Sequence, residues 1–359
     1  MRNLESNGAS GSAGVTPLRR RLGAIAIISI GAVLTATICA AFGRSFWLGD
    51  LCTHFRVQYV ALSLLGVILF IWLRRPLLIA ISLAVLAVNI TAGASAFGWP
   101  QKAPGAIEEA QAAPATHTAR TLHVASINVY YRNTEHEKVV RFLSEEKPDV
   151  VVLVEITPTW RRALNSLDSI YRYRYFSASP IQRVGPRVER GVLMMSRWPI
   201  ERADPIDFGE WAEPGISATL NVRGQPLHVI GVHPCWPMGP GIAAERNREF
   251  KQIAGVARSI KGPLVVLGDF NVTPFSPHFK SLLSQSGLRS AAESHWVPTW
   301  PTFLPIAGIQ IDHALISPDV TALHFARGPR IGSDHWPIVV ELLPKSWLVS
   351  AHAAPGPAT

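Results

Sequence analysis

Apolar residues fill positions 22 to 97 of this 359-residue chain almost without a break, whereas from Leu122 onward they come in short runs separated by polar ones. Three stretches stand out in the first region. Positions 22–42 are long enough to cross a hydrocarbon layer about 30 Å thick as a helix, which takes about 20 residues. Positions 57–73 lie near the lower limit, and 76–97 are comfortably long. Arg74, Arg75 and Pro76 separate the last two as a tight hairpin. Arg19, Arg20 and Arg21 with the small residues at 36–41 also fit the start and end of a cleaved signal peptide. Two further spans follow at once, which favours a retained anchor.

Beyond the anchor, 98–120 are rich in Ala and Pro and read as a flexible linker, and 346–359 as a disordered tail. Between them, 121–345 form one globular domain. Strands are predicted at 122–129, 150–156, 191–196, 216–222, 227–232, 264–267, 310–317 and 338–342. Runs such as Val150 to Val154 suit strands buried on both faces. Helices are predicted at 135–145, 241–260 and 276–284, the second with Phe250, Ile253 and Ala254 on one apolar stripe. On that helix Glu245, Arg246 and Asn247 read as a solvated face, with substrate contact the alternative. Some consecutive strands have no helix between them, so the sheets are mixed and the fold class is an α/β sandwich. No internal repeat is found.

Charge refines this division. The chain carries a net +9, but 121–345 hold 24 Lys+Arg against 21 Asp+Glu, so only three of the nine excess charges belong to the domain. A basic pI of about 9.8 is therefore weak evidence for nucleic acid. Arg2, Arg19, Arg20, Arg21, Arg74 and Arg75 fall on one side of the three spans, and Arg44, Arg56 and Lys102 on the other. The richer side is cytoplasmic. The chain then reads as a multi-pass protein of the cell (inner) membrane. Its N-terminal tail, 1–21, is cytoplasmic, and its domain is periplasmic or extracellular. Trp47 and Trp99 fit the outer interfacial belt. Cys39, Cys52 and Cys235 have no metal-ligand spacing, and only a Cys52–Cys235 bridge is conceivable.

Polar residues fall at the ends of the hydrophobic strands. Asn128 closes the first, Glu155 follows the second, His233 follows the run ending at Val232, and Asp269 and Asn271 follow the run ending at Gly268. Asp312 interrupts an apolar run, and Ser333, Asp334 and His335 precede the last strand. Carboxylates, amides and imidazoles gathered at strand ends suit phosphoryl chemistry. Hard oxygen ligands hold Mg²⁺, amides and imidazoles bind phosphate oxygens, and a carboxylate positions water. Taken singly, Glu155 is a surface carboxylate, Asn128 and Asn271 are turn residues, and His233 is a loop entry. Their joint placement gives the chemical reading. His123, His136, His295 and His313 are read as structural.

The strings SINV, VLVEI, GVLMMSRWPI, GVHP, GDFNVTP, IDHALIS and GSDHWPI, in that order over about 122 to 342, resemble the endonuclease/exonuclease/phosphatase superfamily. PTWP at 298–301 is similar to a membrane-anchored branch of it. The resemblance implies a four-layer α/β sandwich with two packed mixed β-sheets, here preceded by three transmembrane helices. It implies a phosphoesterase that uses Mg²⁺ or Mn²⁺. Glu155, helped by Asn128, would hold the metal, and Asp334 would serve a second metal or orient neighbours. Asp269 would activate water, and Asn271 would bind a phosphate oxygen. His335, oriented by Asp312, would stabilise charge on phosphate, and His233 would contact phosphate or protonate the leaving oxygen. Arg183 and Arg187, in a loop with Arg190, would cradle a phosphate-rich substrate or lipid headgroup, or stay solvated. The substrate, a nucleic acid, a phospholipid or a sugar phosphate, is left open, as is a catalytically silent membrane-tethered binding module. No obligate protein partner is evident.

Overall fold

Two sets of six strands, rather than one sheet, take up the apolar runs of the domain. The computed structural model describes residues 17–94, 121–180, 189–209, 213–293 and 295–349. The linker at 98–120, Arg183, Arg187 and the last ten residues lie outside the described residues. The chain divides into one compact unit of residues up to Ile38 plus Arg56–Thr91 and another of Cys39–Phe55 plus the chain from Ala92.

The first unit is built from helices α1 (Pro17–Ala40), α3 (Arg56–Trp72) and α4 (Pro76–Gly93). α1 and α4 are each long and apolar enough to cross a membrane. α3 has 17 residues, about 25 Å of helix at 1.5 Å per residue, and qualifies only together with the short α2 (Trp47–Thr53), from which it bends by 64°. Two to three spans match the three stretches in the sequence. The Arg56 guanidinium donates to Asn89, whose amide donates to Thr37 Oγ1 at 2.9 Å. These three polar side chains are thereby linked to one another, which lowers the cost of burying them among apolar helices.

In the second unit, one sheet has the order β11-β12-β1-β2-β4-β3 and the other β5-β6-β7-β8-β10-β9. The strands are β1 (Leu122–Asn128), β2 (Val150–Val154), β3 (Tyr173–Pro180), β4 (Glu189–Ser196), β5 (Ile200–Ile206), β6 (Gly215–Val222), β7 (Gln225–Val232), β8 (Leu264–Asp269), β9 (Arg289–Ser290), β10 (Asp312–Ile316), β11 (Val320–Arg327) and β12 (Ile338–Pro344). β1 pairs with β2, and β7 with β8, in parallel; the remaining pairs are antiparallel.

Strand alternation sorts the apolar residues into three layers. Val124, Val150, Val152, Val154, Val192 and Met194 face Ile216, Leu220, Val229, Val265 and Ala314 between the sheets. The alternate residues Ile127, Val151 and Leu153 pack outward against Val139, Phe142 and Leu143 of α5 (His136–Glu146) and Trp160 of α6 (Pro158–Leu164). On the other outside, Ile230, Val232 and Val266 meet Phe250 and Ile253 of α7 (Pro240–Ser259) and Phe279 of α8 (Pro277–Ser286). At roughly 1.5–3 kcal/mol for each fully buried large aliphatic or aromatic side chain, this layering is what holds the unit together. It is the four-layer sandwich expected.

One feature of α7 departs from the sequence reading. Arg246 is fully buried, with Glu245 and Glu249 also buried, so that face is covered rather than solvated. Its cover is the segment Cys39–Phe55, whose Asp50 carboxylate lies 2.6 Å from Arg246 Nη2. None of Cys39, Cys52 and Cys235 forms a disulfide among the described residues.

Candidate active site

Register brings the chemical residues to one edge of the two sheets. In the parallel pair β7–β8, Val232 lies beside Gly268, so the next residues, His233 and Asp269, are neighbours. Antiparallel β10 sets Asp312 directly opposite Asp269. In the other sheet Asn128 pairs with Val154, just before Glu155, and β12 enters beside the end of β1 with Ser126 opposite Ile338. The site therefore collects the C-terminal ends of the parallel strands and the N-terminal ends of their antiparallel partners. Gly268 allows this closeness. A Cβ there would sit 1.9 Å from Val232 O, so no other residue fits.

Asn128 is the central donor. Its Nδ2 reaches Glu155 Oε1 at 3.3 Å and Asp269 Oδ2 at 3.1 Å, while its Oδ1 accepts from Tyr130 N at 2.9 Å. Presented this way, Asn128 shows its NH₂ to both carboxylates. Ligation of a cation through Oδ1 requires the amide to turn over. Glu155 Oε2 accepts from Tyr131 N at 3.0 Å. Glu155 and Asn271 hold left-handed backbones, with φ of 62° and 51°. For side chains with a Cβ this is a strained conformation, typical of functional sites.

His335 bridges two carboxylates, with Nδ1 at 2.9 Å from Asp312 Oδ2 and Nε2 at 3.6 Å from Asp269 Oδ2. Burial opposes its charge, yet the Asp312 and Asp269 carboxylates outweigh burial and push its pKa up to about 10. Burial likewise works against ionisation of Asp269, but the His335 and His233 charges and the Asn271 N–H hold it down at about 2. Asp312 is shifted upward by burial. His233 sits 3.6 Å from Asp269 Oδ2 and 3.0 Å from Glu213 Oε2. Those carboxylates overcome its burial and raise its pKa well above the ordinary value. Both imidazoles are therefore cationic donors at neutral pH, aimed at one carboxylate-lined cleft.

Asn271 ties the two sides together, its Nδ2 donating to Pro234 O at 3.0 Å. Asp334 stands at the rim, where its Oδ2 accepts from Trp300 Nε1 at 3.1 Å. His313 points away from the cleft, donating through Nε2 to Val272 O at 2.8 Å among Phe270 and Phe279. Burial lowers its pKa to about 4, so it is neutral.

Glu213 escapes a search of strand C-terminal ends, and Arg190 enters the sequence analysis only through its loop with Arg183 and Arg187. Glu213 orients His233, and Arg190 lies 3.5 Å from Glu213 Oε1, 3.9 Å from Glu155 Oε2, and over the Tyr131 ring. Both precede or begin antiparallel strands, as Asp312 and His335 do. The available signal was that an antiparallel partner delivers its first residues to the edge where a parallel strand ends.

The donor set suits a hard divalent cation. Asp269, Asp312 and His335 offer atoms within 4.8 Å of one another, and Asp312 Oδ1 is buried with no hydrogen-bond partner among the described residues. Glu155 adds a third carboxylate.

This chain belongs to the Endonuclease/Exonuclease/phosphatase family, whose model matches residues 125–335. Solved structures share the fold. An endonuclease/exonuclease/phosphatase from Bacteroides vulgatus superposes with a TM-score of 0.52 at 16% identity, covering 62% of this chain and 99% of that one. One from Beutenbergia cavernae DSM 12333 gives 0.51 at 20%, covering 63% and 72%. A humanized D. rerio TDP2 gives 0.50 at 18%, covering 62% and 98%. Comparison with curated proteins finds no match.

Proposed function

We propose that this chain is a membrane-anchored, divalent-metal-dependent phosphodiesterase whose catalytic domain lies outside the cytoplasm. The observation that carries the reading is the convergence of three carboxylates, two cationic imidazoles and two amides on one sheet edge. Glu155 would hold the metal, with Asp269 at its side. His335 is a poorer ligand, because Asp312 keeps it protonated. The metal, Mg²⁺ or Mn²⁺, would supply Lewis-acid polarisation of a phosphoryl oxygen. Asp269, ionised far below neutral pH, accepts a hydrogen bond from the attacking water and aims it. His335 donates to the charge that grows on the phosphoryl oxygens, and Asn271 binds a further oxygen. His233, held by Glu213, is placed to protonate the leaving oxygen. Asp334 acts through its neighbours, Arg190 extends the anion-binding side, and Arg183 and Arg187 would add guanidinium contacts to a phosphate-rich substrate.

Topology supports the outward reading. The segment Cys39–Phe55 belongs to the same compact unit as the catalytic domain, so both occupy one side of the membrane. The chain between them would then cross an even number of times, with α4 as one span and α3, whose 17 residues are at the lower limit of length, as the other. With the Arg-rich N-terminal tail and the Arg74–Arg75 turn inside, that side would be external.

For the substrate, one observation favours an amphiphilic phosphodiester over a nucleic acid. Loops next to His233 and Asp334 expose Trp236, Met238, Phe303, Leu304 and Ile306, the last at 92%. Exposed apolar clusters beside a cleft mark contact with apolar partners. The test compares phospholipid vesicles, single-stranded DNA and bis(p-nitrophenyl) phosphate, with and without chelator. All turnover should vanish in chelator, and Ile306→Asp should slow vesicle hydrolysis alone. Full activity in chelator removes the metal mechanism. DNA turnover exceeding lipid turnover returns the substrate to nucleic acid.

A further inference from the structure

The segment between the first two hydrophobic helices is more than a connection. Asp50 and His54 are 1% and 4% exposed, and both close on the turn that follows β8. Asp50 Oδ1 accepts from Ser276 Oγ at 2.6 Å, and its Oδ2 meets Arg246 Nη2 at 2.6 Å. Ser276 is the residue that caps α8, accepting from His278 N at 3.1 Å. His54 Nδ1 accepts from Thr273 N at 3.2 Å and lies 2.9 Å from Thr273 Oγ1. A nitrogen that accepts from a backbone N–H carries no proton itself, which fits the neutral imidazole that burial enforces.

This turn runs from Asp269 to Ser276 and carries Asn271 at its left-handed position. Inside the turn, Asn271 N donates to Asp269 Oδ1 at 2.8 Å, fixing the rotation of that carboxylate. On its far side the turn is gripped at three points, by His313 on Val272, His54 on Thr273 and Asp50 on Ser276. Two of those three grips come from a part of the sequence that joins membrane helices.

We infer that the segment Cys39–Phe55 is a positioning element of the active site, in which His54 and Asp50 hold the turn that orients Asp269 and Asn271. This rests on the phosphodiesterase reading for its consequence, though not for its geometry. It also means that a fragment starting in the linker at 98–120 lacks part of its own catalytic unit: Arg246 loses its carboxylate, Thr273 N loses its acceptor, and the covered face of α7 is opened to water. Such losses matter, since hydrogen bonds to charged groups contribute about 1.5–3 kcal/mol each.

The experiment uses the full chain in lipid nanodiscs and two substitutions. His54→Ala removes the acceptor, whereas His54→Asn puts an amide oxygen near the place of Nδ1. Hydrogen exchange of the 270–276 segment and turnover of bis(p-nitrophenyl) phosphate with Mn²⁺ are read for each. His54→Ala should speed exchange there roughly tenfold, the expected effect of losing one buried hydrogen bond. It should lower kcat roughly 10- to 100-fold with KM nearly unchanged, as for a misplaced catalytic group. His54→Asn should recover most of both.

Parental exchange in His54→Ala overturns the inference, and so does faster exchange with unchanged kcat. If His54→Ala does not fold, His54→Asn decides, since loss of activity in a folded Asn variant also overturns it. A parent chain silent on every phosphodiester refutes the phosphodiesterase reading instead, and the exchange arm still decides whether His54 holds the turn.

Discussion

Replacing His335 with alanine removes an imidazole that stands between two buried carboxylates, and its effects on rate and on stability can be separated. For rate, one preorganised donor aimed at developing phosphoryl charge is lost, typically ~10²–10³ in kcat. For stability, Asp312 is the residue to follow. Its Oδ1 already has no partner among the described residues, and without His335 its Oδ2 loses the 2.9 Å contact. Breaking a buried pair from one side costs about 3–5 kcal/mol. The lower end is expected here, because burial already raises the Asp312 pKa and the carboxyl can escape by taking up a proton. A loss of about 3 kcal/mol in a domain of this size corresponds to roughly 6–12 °C in Tm. An acid whose folded pKa exceeds its unfolded one binds more protons when folded, so the deficit grows as pH rises above about 4. The raised His335 pKa stabilises the parent fully below about 6.5 and less as pH rises towards 10, so the deficit shrinks again over that range. Adding Asp312→Asn removes the stranded charge and should return most of the Tm while returning no turnover. Thermal unfolding at several pH values, with turnover of one diester, tests this. A double variant that melts as low as His335→Ala, or turnover in His335→Ala within about threefold of the parent, would refute these roles for His335 and Asp312.

Two further outcomes are expected. His313, with its pKa lowered to about 4 by burial, titrates in the unfolded chain near 6.5. Its contribution to stability is therefore present above pH 6.5 and lost as pH falls to about 4, on the order of 3 kcal/mol. His313→Gln should flatten that part of the pH–stability curve while keeping most turnover, and an unchanged curve would show that His313 is not buried neutral. A phosphatase reporter that works only outside the cytoplasm should be active when fused after Gln101 and silent after Arg75, and the reverse would invert the topology.

The sandwich, the apolar helices and the polar residues that meet at the strand ends were legible in the sequence by itself, because these depend on short-range patterns. Central strands buried on both faces are written as unbroken apolar runs, so β1, β2, β4, β7, β8 and β12 were all legible. The four strands not predicted, β3, β5, β9 and β11, are the four sheet edges. An edge strand such as β5, with Arg202, Asp204 and Pro205, is half exposed and written in the polar residues that keep edges from pairing, so no apolar run announces it. Asn128, Glu155, His233 and Asp269 could be found because each directly ends a hydrophobic run. Tertiary structure decided what no local pattern encodes. Antiparallel register delivers Glu213 and Arg190 to the cleft, and Asp50, 196 residues from Arg246 along the chain, makes that helix face an interior one. A buried charge is tolerable only beside its counter-charge, and the partner of Arg246 lies in a segment that, read alone, is a loop between two membrane helices.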